Sequence, residues 1–202
     1  MNKSIKYKFL LIGILLLFCS RSFANNNDQI KILEDSLNNY FNLLAKETVD
    51  ARKIEINNHI VELFKQALKF EDSFYYPFYD LQNVGIIKSE DDKLRIITWN
   101  LPYNNRTHKY FGFIQYKKNN KAYDFYELKD HSDEISDPEM AILNISNWYG
   151  ALYYKIITNK NRGTDYYTLL GADLNNLLTK KKIIEILYFD VFISSNELIY
   201  TS

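Results

Sequence analysis

The chain has 202 residues, with 25 Lys+Arg against 25 Asp+Glu and a hydrophobic share of 47%. That balance, with no basic stripe, argues against nucleic-acid binding, and the low Gly and Pro content argues against disorder. The only cysteine is Cys19, so a chain that loses its leader forms no disulfide and no Cys-ligated metal site.

The N-terminus reads as a secretory signal peptide over residues 1–24. Lys3, Lys6 and Lys8 form a positive n-region, Phe9–Cys19 is an unbroken apolar run, and Ser22-Phe23-Ala24 places small residues at the −3 and −1 positions of a cleavage site. A spanning helix needs roughly 20 apolar residues, more than this run supplies. The competing reading is a lipoprotein signal acylated at Cys19; bulky Phe18 stands where a lipobox needs a small residue, so cleavage after Ala24 is preferred. Four of the 25 basic residues (Lys3, Lys6, Lys8, Arg21) and no acidic ones lie in the leader, leaving 21 against 25. The expected location is the periplasm, the cell envelope or the medium. Membrane contact is expected only through the leader or a lipidated Cys19, since no polybasic patch exists apart from Lys180-Lys181-Lys182. No other partner is indicated.

Residues 25–70 read as a helical hairpin. Ile30, Leu33, Leu37, Tyr40, Phe41 and Leu44 recur at helical spacing over residues 28–47, with Asn27 as the expected N-cap. Residues 51–69 repeat the pattern with Ile54, Ile60, Val61, Phe64, Ala67 and Leu68, and Asp50 as the expected cap. Residues 71–202 read as a β-rich domain. Val84–Ile87 pairs with Leu94–Trp99, and Lys109–Lys117 pairs with Ala122–Leu128 around Asn119-Asn120. Asp137-Pro138 starts an expected short helix over Pro138–Leu143. Trp148–Thr158, Asp165–Leu170 and Lys182–Phe189 supply three further strands, although IIEIL within the last also fits a helix. The fold class is therefore α+β: a helical hairpin followed by a mostly antiparallel sheet of about five to seven strands, with a fragment of a larger all-β body as the alternative.

Two stretches echo each other, Tyr110-Phe111-Gly112 and Trp148-Tyr149-Gly150. We read them as similar strands, each with a glycine where a backbone or ring packs closely. The strings LRIITWN (94–100), WYGALYYKII (148–157), YYTLLGADLNN (166–176) and KKIIEIL (181–187) resemble a family of uncharacterised exported proteins of Bacteroidota. The resemblance covers roughly residues 70–190. It implies export and a β-rich body, and no activity. The family carries an aromatic where this chain has Ala172, and its members run on past Ser202, which implies a chain shortened at its C-terminus. The apolar run from Ile183 to Tyr200 then predicts an exposed apolar edge or face near Leu187–Tyr200.

No nucleophile elbow, phosphate loop or zinc spacing is present, and no cofactor or metal is expected. The reading is a non-catalytic exported protein with a binding or structural role. One alternative is a hydrolase using His131 with Asp130, Asp133 and Glu134, a loop that offers an acid–base pair. Another is a carbohydrate-binding module in which Trp99, Tyr103 and Tyr110 stack on sugar rings and Arg106 bonds hydroxyls. Asp173-Leu174-Asn175-Asn176 begins like a calcium loop but lacks its Gly and its closing Glu. His59 and His108 read as surface or loop histidines.

Overall fold

The computed structural model describes residues 25–117, 123–175, 179–189 and 198–201. Residues 1–24 with Cys19, the Asn119-Asn120 pair expected in a turn, Asn176 and the stretch 190–197 lie outside the described residues. Among the described residues, two α-helices, α1 (Asn26–Leu44) and α2 (Asp50–Leu68), precede nine strands in two antiparallel sheets. The first sheet has the order β1 (Gly85–Lys88), β2 (Leu94–Pro102), β3 (His108–Lys117), β4 (Tyr123–Lys129). The second has the order β5 (Ile142–Asn144), β9 (Leu198–Thr201), β8 (Lys181–Phe189), β7 (Thr164–Asp173), β6 (Leu152–Asn161). The α+β class and the leading helical hairpin are as expected. The strands are divided between two sheets, and the additional ones, β5 and β9, are only three and four residues long, too short to show a period of two.

The molecule is three layers deep: helix pair, first sheet, second sheet. Ile97, Trp99 and Phe113 face the helices, where they meet Ile30, Leu37, Phe41, Ile60, Phe64 and Leu68. Leu94, Ile96, Tyr110 and Ile114 face the second sheet, where they meet Tyr153, Tyr167, Leu169 and Leu187. The first sheet is thus covered on both faces, and every residue of β2 from Leu94 to Trp99 is buried. This is why LRIITW is a nearly continuous apolar run and not an alternating one. Its one charged residue, Arg95, donates to the carbonyls of Ser73 and Tyr76 (2.8 Å for the latter) and lies over the Phe78 ring. Burial lowers its pKa to about 10, which leaves it charged at neutral pH. The two sheets meet where β1 lies alongside β6, and the Tyr153 amide donates to Thr98 Oγ1 at 3.3 Å.

Several local expectations are corrected. Asn25 caps α1 in place of Asn27, its Oδ1 accepting from the Asn27 amide at 3.4 Å. Val49 holds the cap position of α2, and the Glu47 carboxylate accepts from the Thr48 and Val49 amides at 2.7 and 2.8 Å. Asp50 instead accepts from the Asn104 amide and pairs with Lys53, tying α2 to the β2–β3 turn. Ile54 is 42% exposed, because Lys53 and Asn57 occupy the buried face beside it. Pro138–Leu143 forms no helix: the chain turns over Asp137–Met140, and Ile142–Asn144 pairs with β9, which takes the backbone groups a helix would need. The IIEIL segment is strand, paired along its length with β7. Gly112 sits within β3, where an added Cβ would lie 2.8 Å from the Ile97 carbonyl. Gly150 stands outside any strand at φ +82°. The echo between the two stretches is therefore not a repeated strand.

Candidate functional site

The acidic loop does not assemble a catalytic pair. Asp130 follows β4 with its side chain turned inward. Its Oδ2 accepts from the Tyr110 amide at 2.8 Å, and its Oδ1 accepts from the Ser132 amide and hydroxyl at 3.0 and 2.7 Å. Gly150 is required beside it, since an added Cβ would lie 2.7 Å from Oδ1 at a backbone angle few side chains tolerate. This carboxylate is consumed in joining β3 to the turn after β4, and the segment before β6 is held to that turn by the His131 amide donating to the Trp148 carbonyl. His131 is half-buried and pairs with Glu134 of its own turn, Nδ1 to Oε1 at 3.2 Å, while Asp133 and Glu134 are exposed. Among the described residues, no three His, Cys, Asp or Glu side chains converge on one cation position. Asp173 Oδ1 is likewise occupied, by the Tyr110 hydroxyl and the Asn175 amide, each at 2.7 Å.

The aromatic loop does not form a stacking platform either. Trp99 and Tyr110 are buried on opposite faces of the first sheet. Trp99 stacks on Phe64 and donates its indole N–H to Asn57 Oδ1 at 2.8 Å. Tyr103 is half-buried, and Arg106 is exposed at a positive-φ turn position. These rings pack the two cores, as aromatics on doubly covered strands do. His59 is exposed and stacks on Tyr40, and His108 is half-buried beside Asn100.

The structure instead brings together two features that motif reading missed. The first is a buried polar chain between the sheets. The Trp148 indole donates to the Tyr153 hydroxyl at 2.7 Å, and that hydroxyl donates to Glu185 Oε2. The Tyr153 ring lies across Gly171, where a Cβ would come within 2.9 Å of it. Glu185 is 1% exposed, and its Oε1 has no hydrogen-bond partner among the described residues. Burial pushes its carboxyl up to about 7, with the Tyr153 hydrogen bond opposing that rise. Nearby, the Tyr110 hydroxyl donates to Asp173, and Lys181 Nζ donates to the Tyr149 hydroxyl at 2.9 Å. Burial and the Asp173 carboxylate hold the Tyr110 phenol well above its usual range. A cleft of about 390 Å³ opens between Pro138, Glu139 and Tyr149 on one side and Lys181–Glu185 on the other.

The second feature is the outer face of the second sheet. The strand register places Ile157, Thr168, Ile186, Thr201 and Ile142 in one row across all five strands. The next row holds Lys155, Leu170 and Ile184, and the one beyond it Leu152, Ala172 and Lys182. Ile142, Ile184, Ile186 and Ile157 are 70%, 62%, 42% and 38% exposed. Tyr154, the extra residue of a β-bulge, is exposed too, with the Lys182 ammonium 5.2 Å from its ring centre. Among the described residues this face carries lysines and no acidic side chain; Glu139 stands at its rim beside the cleft. The apolar edge or face expected near Leu187–Tyr200 is not found among the described side chains: Leu187 is fully buried and Tyr188 and Phe189 are half-buried, the side chains from 190 on lie outside the described residues, and the exposed isoleucines of β8 are Ile184 and Ile186. The described helices include none long and apolar enough to cross a membrane.

No family model, curated protein or solved structure matches the chain.

Proposed function

We propose that this chain is an exported, non-catalytic protein of the periplasm or cell envelope that works by contact. Its contact surface is the outer face of the second sheet, and the partner presents apolar area together with negative charge. The n-region, apolar run and cleavage site of residues 1–24 support export, as does the resemblance of the strings in 94–187 to exported Bacteroidota proteins. The observation that carries the contact reading is the row Ile142, Ile157, Ile186 with neighbouring Ile184, left open to solvent across a five-stranded sheet. Scattered exposed aliphatics need no explanation, but here four isoleucines share one sheet face, spaced along the row by Thr168 and Thr201, and exposed apolar area gathered on one face supports a contact role. Fully burying an exposed isoleucine is worth about 1.5–3 kcal/mol, and these, 38–70% exposed, each contribute that fraction of it when covered. A hydrolase role is disfavoured because Asp130 is spent on backbone donors, leaving His131 paired only with an exposed Glu134.

The test is fractionation of a bacterial host expressing the full chain, alongside an Ile184→Thr/Ile186→Thr variant. Threonine keeps the strand propensity while removing apolar area. The wild type should be recovered from the envelope with a mass starting at Asn25, and the variant should shift to the soluble exported fraction with an unchanged melt. Retention of residues 1–24 in the cytosol would sink the export reading. Identical distributions of the two proteins would sink the contact reading.

A further inference from the structure

The outer sheet face pairs its isoleucines with a particular kind of charge. Lys155 on β6 and Lys182 on β8 project from it, Tyr154 lies under the Lys182 ammonium, and Tyr166 and Tyr188 follow in the row beyond Ile157 and Ile186. Lys180 and Lys181 precede Lys182 at the same end of β8, and Lys160 and Arg162 lie at the β6–β7 turn. We infer that this face, the contact surface proposed above on which the inference rests, docks on an anionic lipid surface.

Three observations favour that occupant. A second copy of the chain stacked face to face would bring Lys155 and Lys182 of both copies together without an acidic residue of the face to meet them, so self-association is electrostatically opposed. A protein partner is the weaker fit because protein interfaces favour Arg and are depleted in Lys. The charges on this face are lysines, point charges on flexible stems that suit a field of headgroups better than a fixed carboxylate. Lysine stems that lie along apolar surface and end in water, next to tyrosine, form the pattern of side chains at a lipid–water boundary. The isoleucines then sit at the acyl boundary, and the lysines take up the negative surface potential.

The experiment is co-sedimentation of the exported form with phosphatidylcholine vesicles, with and without roughly 30% phosphatidylglycerol. Wild type is compared with Lys155→Glu/Lys182→Glu, with Ile184→Thr/Ile186→Thr, and with Lys46→Glu/Lys69→Glu on the helix layer. The last pair changes net charge equally on exposed positions away from the second sheet. Every protein compared starts at Asn25, so residues 1–24 add no binding of their own. Wild type should bind the anionic vesicles. Both face variants should lower its partition coefficient by at least about tenfold, while the helix-layer variant stays within about twofold. Equal losses in the two lysine variants would show that net charge, not this face, drives binding, and would overturn the inference. So would wild-type binding that is absent, or indifferent to phosphatidylglycerol. If vesicle binding is absent and a dimer dissolved by Ile184→Thr/Ile186→Thr is found by light scattering, the contact face stands and its lipid occupant is refuted. Face variants that change neither property refute both.

Discussion

Replacing Glu185 with glutamine will stabilise the protein at high pH and change it little at low pH. The carboxyl rises from 4.5 to about 7 on folding, and burial is the cause. A group whose folded pKa lies above its unfolded one binds its proton more tightly in the folded state. Its contribution is therefore most favourable below the unfolded value and is lost as pH rises through the window between the two. At 1.36 kcal/mol per unit, this upward displacement costs the folded state on the order of 3 kcal/mol once both states are ionised. Most of that, about 2–3 kcal/mol, develops between pH 5 and pH 8. Glutamine is isosteric and does not titrate. Its carbonyl can accept from Tyr153, and its amide then takes the place of an oxygen that already lacks a partner. The assay is urea denaturation followed by the fluorescence of buried Trp99 and Trp148 at pH 5, 6, 7 and 8. The stability gap between variant and wild type should widen across that range and level off above pH 8. A gap that stays constant with pH, or that narrows, would show that Glu185 is ionised in the folded protein at all these values and would refute the reasoning.

Other substitutions test the packing. Gly150→Ala forces a Cβ to 2.7 Å from Asp130 Oδ1 at φ +82°, and a loss of about 1–3 kcal/mol is expected on thermal melting; an unchanged melt would mean the turn relaxes freely. Asn57→Ala strands the indole N–H of Trp99 in the helix-side core. It should cost about 1–3 kcal/mol in urea, and a loss within error would show that hydrogen bond to be dispensable. Addition of chelator should leave the melting temperature where it is, and a shift of several degrees would reveal a bound cation.

The helices were legible because each carries a one-sided stripe, and in α2 the stripe holds from Ile60 to Leu68 but fails at Ile54, where Lys53 and Asn57 take the buried positions. Lys53 and Asn57 look like solvent residues in the sequence. In the fold, Lys53 is held by Asp50, the Pro102 carbonyl and Asn104, and Asn57 is held by Trp99. Apart from Asp50, those partners lie some 40 to 50 positions away, so no local pattern announces them. The same limit hid the site features. Glu185 meets Tyr153 through strand register across Gly171, and Lys155 joins Lys182 only because β6 and β8 flank β7. Register is set by pairing, and a slip of one residue would move every one of these side chains to the other face. The candidate residues Trp99, Tyr110 and Asp130 were visible as chemistry, but aromatic and carboxylate identity says nothing about whether a position is covered. Here two cores and a set of backbone donors use them all.

The position of the first sheet between those cores sets how the molecule comes apart. Ile97, Trp99 and Phe113 close one core, and Ile96, Tyr110 and Ile114, on the same two strands, close the other. Neither the helix pair nor the outer sheet can lose its packing and leave β2 and β3 intact with both faces still dry. The outer layers are therefore energetically coupled through the sheet they share, and heat should melt them in a single cooperative transition.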